Sequence, residues 1–218
     1  MKTVRFIILA TVLTVFVSCK KERISGHGPV RNENRAIINF ARIHALGATA
    51  VFVTQGTNFK VEVSGYGNLI SYFETNLLND ILTLGYRDTV KVKNDNVKVY
   101  ITLPVLKGLS ISGSGNINTT GTFSNAPVFE TNIYGSGNIY FSYGTTQDYF
   151  STIPGSGNVH SFGMLAENTN ITISGSGNQE ATVSNNLKVN IAGSGNVYYK
   201  GNPVINARIS GSGAIIPR

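Results

Sequence analysis

The chain has a single cysteine among its 218 residues, Cys19, so no internal disulfide can form. Its three histidines, His27, His44 and His160, have no partners at metal-ligand spacing, and with one cysteine there is no zinc set. Each histidine reads as a surface or loop residue. Acidic residues are scarce: eleven in all, and past residue 107 only Glu130, Asp148, Glu167 and Glu180. These four share no common spacing, which argues against a calcium column and leaves no paired carboxylates for general acid–base work. Residues 108–218 carry four Lys/Arg against those four acids, so the net charge of +7 resides upstream. A neutral second half lacks the basic stripe that phosphate neutralisation requires, and nucleic acid is not expected as a partner.

What fills that second half is a repeated turn. Gly-Ser-Gly-Asn begins at Gly113, Gly135, Gly155, Gly175 and Gly193, and Gly-Ser-Gly-Ala begins at Gly211. Two residues before each copy stands an isoleucine: Ile111, Ile133, Ile153, Ile173, Ile191 and Ile209. The spacings are 22, 20, 20, 18 and 18 residues. A fixed turn and a fixed apolar position at a period near twenty point to an all-β stacked coil, a β-solenoid. In that reading the isoleucines form a core ladder and the six glycines form stacked corners, where backbone must pass close to backbone. The turn asparagines tolerate left-handed backbone and can hydrogen-bond up their column. The glycines are not a phosphate cradle, because strands rather than a helix follow them and no lysine follows any copy.

The residue after each turn is Ile117, Ile139, Val159, Gln179, Val197 or Ile215, five branched aliphatics and one glutamine. Upstream, residues 50–54 and 59–63 flank Gln55-Gly56-Thr57-Asn58 and read as a hairpin. Ser64-Gly65-Tyr66-Gly67-Asn68 reads as a degenerate copy of the later turn. Residues 68–72 form at most one short helix, with Asn68 as its N-cap. Further strands are expected at 81–85 and 96–103, with Lys91, Lys93 and Lys98 facing solvent.

The N-terminus carries an export signal. Lys2 and Arg5 precede an apolar run of twelve residues, 6–17, against the roughly twenty needed to span a bilayer. Phe16-Val17-Ser18-Cys19 resembles a lipobox, with Phe16 in place of the usual leucine. That resemblance implies a lipoprotein signal peptide over 1–18, lipidation of Cys19 and a membrane partnership through the lipid anchor. Residues 19–35 are polar and read as a flexible tether, 36–107 as an N-terminal β section and 108–218 as the repeat solenoid. Residues 36–218 together form one continuous domain.

The Gly-Ser-Gly-Asn-Ile/Val strings, following Val99-Tyr100-Ile101-Thr102-Leu103-Pro104, resemble the head GIN domain family of putative auto-transporter adhesins, envelope proteins common in Bacteroidota-type bacteria. The resemblance runs from about Ala36 to Ile216. It implies a right-handed single-stranded β-helix related in shape to pectin lyases, an outer-membrane location and a role in adhesion. It carries over no catalytic residue and no cofactor.

The expected function is therefore a non-enzymatic cell-envelope lipoprotein that presents its side face to glycan or protein. Tyr134, Tyr140, Phe141, Tyr143, Tyr149, Phe150, Tyr198 and Tyr199 supply the aromatics for such contacts. Two alternatives stay open: a polysaccharide lyase-like enzyme, for which only Lys188, Lys200 and Arg208 offer a base before Arg218, and a purely structural envelope component. An exposed aromatic row favours adhesion, and an acidic cluster facing a groove favours the enzyme. Asp88-Thr89-Val90 also resembles an O-glycosylation sequon of such bacteria.

Overall fold

The computed structural model describes residues 21–124 and 126–218. The expected leader and the lipidation residue Cys19 lie outside them. The described residues form one 19-stranded mixed sheet and a separate two-stranded pair. The large sheet wraps, nearly closed and barrel-like, around one hydrophobic cluster running from Phe40 to Val197.

Period-two alternation sets most strands. Lys60–Tyr66 buries Val61, Val63 and Gly65, while Lys98–Leu103 buries Val99, Ile101 and Leu103. Branched side chains on such a face suit extended backbone and fill the space between neighbouring strands. Through the repeats the pairing is parallel and in register. Ile111 lies opposite Ile133, Ile153 opposite Ile173, Ile173 opposite Ile191, and Ile191 opposite Ile209. Ile111, Ile133, Ile153, Ile173 and Ile191 are fully buried. Ile209 departs from the expected ladder, at 43% exposure. Its strand, Val204–Gly211, pairs with Gln179–Gly193 and with no other described strand, and all eight of its residues are exposed.

The expected single-stranded right-handed β-helix is corrected by the sheet itself, which is mixed. Lys60–Tyr66 runs antiparallel to both Val30–Arg35 and Lys98–Leu103, and Phe73–Leu78 runs antiparallel to Ile81–Tyr86. The last pair is joined by Asn79 and Asp80, with φ of 48° and 63°. Two left-handed residues in a two-residue connection match the twist of a hairpin and force antiparallel pairing. A repeat period reports where the chain turns, and it carries no such information about pairing direction upstream.

Three local expectations change for related reasons. The proposed hairpin of 50–54 with 59–63 does not form, because Lys98–Leu103 lies between the two strands, parallel to Ala50–Gln55 and antiparallel to Lys60–Tyr66. The turn stacked against Gly113 is Gly47-Ala48-Thr49-Ala50, since Gly113 is opposite Gly47 and Asn116 opposite Ala50. Ser64, Gly65 and Tyr66 instead lie within a strand facing Val30–Arg35. The polar stretch 19–35 carries strands at Glu22–Ser25, paired with Val90–Lys93, and Val30–Arg35. Edge strands are held by backbone hydrogen bonds and need little apolar sequence, so composition alone reads them as linker.

The one helical turn among the described residues is Gly67–Ile70. Asn68 sits inside it rather than capping it. Its amide donates to the Ser25 carbonyl (2.9 Å) and its oxygen accepts from the His27 backbone N–H (3.1 Å).

Candidate functional site

The turns fix which residues share the outer surface. At each level a Cβ on the first turn glycine would overlap the carbonyl oxygen of the glycine beneath it. Gly135 over Gly113 has φ of 153°, whereas Gly155 over Gly135 is not left-handed, so close backbone approach is the requirement common to both. With the turns stacked and their asparagines hydrogen-bonded in a column, every following strand starts in register. Alternation then buries the next residue and turns the one after it outward.

That outward position, two residues after each turn asparagine or its equivalent, forms one continuous row. Phe52 is opposite Asn118, Asn118 opposite Tyr140, and Tyr140 opposite His160. Glu180 pairs with Tyr198, and Tyr198 with Ile216, so the row continues to the last strand. At the other end Tyr100 pairs with Phe52.

The row is rich in aromatic stacking. The Phe52 and Tyr100 rings are 5.2 Å apart at 16°, and Tyr140 and His160 are 4.7 Å apart at 4°. Nearly parallel rings this close cannot lie side by side without overlapping at their edges, so each pair stands face to face. His160 Nδ1 is also 3.3 Å from Glu180 Oε1, and the Arg218 guanidinium lies 4.7 Å from the Tyr198 ring centre. Tyr100 and Tyr140 remain 40% and 42% exposed.

The structure sorts the aromatics expected from sequence. Tyr140 and Tyr198 join the row. Phe141 and Tyr149 are buried, and Tyr134, Tyr143 and Phe150 are exposed elsewhere. Tyr199 is half-buried against the core. Phe52, Tyr100 and Asn118 escaped sequence reasoning, and His160, expected as a surface or loop residue, lies at the surface on strand Asn158–His160. The signal that could have found His160 and Asn118 is their fixed offset from the turn asparagine. Phe52 follows Ala50 rather than an asparagine, and Tyr100 joins only through long-range pairing.

A second polar feature is internal. Gln179 is fully buried at a position filled elsewhere by branched aliphatics. Its amide nitrogen donates to Tyr149 Oη (3.1 Å) and Ser161 Oγ (2.9 Å), and its oxygen accepts from Ser151 Oγ (2.6 Å). Thr131 completes the network at 2.9 Å from both Tyr149 Oη and Ser151 Oγ. Burial pushes the Tyr149 hydroxyl pKa well up, outweighing these hydrogen bonds, so it stays a neutral donor–acceptor. The network is closed to solvent and serves packing.

The basic residues considered for catalysis are dispersed. Lys200 lies over the Phe162 ring at 4.4 Å, while Arg208 sits on exposed strand Val204–Gly211, opposite Asn190. Among the described residues, no three His, Cys, Asp or Glu side chains converge as a metal site. No helix of the described residues is long and apolar enough to cross a membrane.

Comparison with known proteins places the chain in a family. The family model described as "putative auto-transporter adhesin, head GIN domain" matches residues 39–203. No curated protein matches the chain. Among solved structures, a putative adhesin from Bacteroides fragilis is similar at TM-score 0.68 and 19% identity, covering 89% of this chain and 100% of its own. A putative adhesin from Parabacteroides merdae gives 0.58 and 20%, covering 90% and 99%. A putative lipid binding protein from Parabacteroides distasonis gives 0.57 and 22%, covering 90% and 100%. Identities this low establish a common fold.

Proposed function

The chain belongs to the family of putative auto-transporter adhesins with a head GIN domain, and from that premise we propose that it is a non-enzymatic adhesin of the cell envelope whose outer aromatic row contacts glycan. The observation that carries this reading is the row itself, with Tyr100, Phe52, Tyr140, His160 and Tyr198 on one surface in register. Aromatic side chains combine an apolar body with a polar tip, the chemistry that meets the C–H faces and hydroxyl rims of sugars. A row spaced at about 4.8 Å per strand offers repeated contacts along an extended chain. Weak individual contacts then add through multivalency.

The proposal includes the anchor. Cys19, at the end of Phe16-Val17-Ser18-Cys19, is the residue to be lipidated, holding the β domain at the membrane surface. Replacing Cys19 by Ala should abolish lipid labelling and membrane retention. Persistent labelling would place the lipid elsewhere.

Glycan-array binding by the detergent-solubilised full chain tests the surface. Each aromatic contact contributes about 0.5–1.5 kcal/mol, so Tyr100→Ala combined with Tyr140→Ala should weaken binding roughly 5- to 150-fold. Equal binding by this double variant would move the contact surface off the row, and absence of binding across the array would favour a protein ligand.

A further inference from the structure

The aromatic row is interrupted once, and the interruption has the form of a slot. Asn118 is the short side chain between Phe52 and Tyr140 on the intervening strand. Tyr100 covers the far face of Phe52 and His160 covers the far face of Tyr140. Because both pairs are stacked face to face, the remaining faces of Phe52 and Tyr140 turn toward Asn118 and toward each other. Neither has an aromatic partner on that side among the described residues.

The width follows from the sheet. Two strand steps of about 4.8 Å separate the flanking rings by about 9.6 Å. A flat ring between them needs about 7 Å, two contact distances of roughly 3.5 Å, and would sit loosely. A puckered saturated ring, with axial hydrogens on both faces, needs about 8 to 9 Å. Asn118 makes no side-chain hydrogen bond to another described residue, unlike Asn116 and Asn138 on the neighbouring turns. Its amide offers two donors and an acceptor to hydroxyls entering from solvent. An apolar wall on each side and an amide floor match a ring with C–H faces and a hydroxyl rim.

We propose that the Phe52–Asn118–Tyr140 slot binds a single pyranose ring of a glycan, sandwiched between the two aromatic faces. The site rests on the reading that the outer row takes glycan, and it makes that reading specific. A sugar ring inserts between the rings rather than lying across their edges. Its hydroxyls reach Asn118 at the base and remain open to solvent at the top, so the ring can belong to a longer chain.

Saturation-transfer NMR on the detergent-solubilised full chain, with methyl glycosides of glucose, galactose, mannose and N-acetylglucosamine as probes, reads the geometry directly. A sandwiched ring receives saturation on the protons of both its faces, whereas stacking on one open platform saturates a single face. At least one probe should show the two-faced pattern. Asn118→Phe, which fills the slot while leaving the row aromatic, should weaken that probe at least tenfold with an unchanged melting temperature. One-faced saturation, or no saturation with any probe, overturns the slot, and this measurement needs no variant to fold. Array binding that survives Asn118→Phe but falls in Tyr100→Ala/Tyr140→Ala also overturns the slot while leaving the row reading intact. Loss of neither would remove both.

Discussion

The Oδ1 atom of Asn116 accepts two hydrogen bonds from Asn138 one level away, from its backbone N–H at 3.2 Å and its side-chain amide at 3.1 Å. The same fork recurs between Asn158 and Asn178 (3.1 and 2.9 Å) and between Asn178 and Asn196 (3.1 and 3.3 Å). Aspartate would keep the acceptor but lose the side-chain donor, and repeated down a column it would place like charges at adjacent levels. The column therefore reads asparagine for a reason both geometric and electrostatic.

Asn158 sits mid-column, donating to Asn138 and accepting twice from Asn178. Asn158→Ala removes all three bonds from a half-buried site and leaves a backbone N–H without its partner. The expected cost is about 1–3 kcal/mol, a fall in Tm of several degrees for a chain of this size. Thermal unfolding followed by circular dichroism checks it. A variant that melts with the wild type would mean water replaces the ladder at no cost.

The buried glutamine sets two effects against each other. Gln179→Leu adds apolar surface at a position that is isoleucine or valine in every other repeat, which by area alone should stabilise. It also leaves Tyr149, Ser151 and Ser161 short of partners in a site without solvent access. Thr131 and the Glu180 carbonyl still serve these hydroxyls, but the Ser151 donor loses its acceptor. A buried group left unpaired costs about 1–3 kcal/mol, more than leucine regains, so net destabilisation is expected. Chemical denaturation that finds the variant equal to or above the wild type in stability would show that the hydroxyls re-pair among themselves.

The isoleucines separate core from edge. Ile173 is fully buried and pairs with Ile153 and Ile191 on its two sides, whereas Ile209 is 43% exposed at the last long strand. Ile173→Asp places an unpaired charge among apolar side chains and should unfold the domain. Ile209→Asp keeps access to water and should cost no more than about 1 kcal/mol. Comparable loss in both variants would show that the outermost strand is packed as tightly as the interior.

How far the sequence reached can be traced on these residues. The twenty-residue period was legible because each turn glycine must admit the backbone of the next, which fixes identity at a fixed offset, and that offset is the spacing between parallel partners such as Ile173 and Ile191. The unit at Gly47 was hidden, because Thr49 and Ala50 replace the glycine and asparagine while the register stays the same. Antiparallel pairing was partly legible in Asn79-Asp80, a hairpin signal overshadowed by the repeats. The insertion of Lys98–Leu103 beside Ala50–Gln55 was not, since strand partners separated by almost fifty residues leave no local pattern. The surface row shares that fate: its repeat half follows from the turn offset, and its Tyr100–Phe52 half depends on long-range pairing.

His44 makes stability depend on pH. Its Nε2 lies 2.8 Å from Ser112 Oγ, and burial lowers its pKa below the ordinary 6.5. Above pH 6.5 the imidazole is neutral in both folded and unfolded chains and costs nothing. As pH falls through 6.5 the unfolded chain takes up its proton first, so stability is lost progressively until the folded-state pKa is reached and is flat below it. Glutamine can still hydrogen-bond Ser112 but does not titrate. His44→Gln should therefore flatten the dependence of Tm on pH just below 6.5 while leaving the neutral-pH value nearly unchanged. Melting curves between pH 7.5 and 5 measure the two slopes. Equal slopes would assign the acid sensitivity to other groups and make the contact of His44 with Ser112 a matter of packing alone.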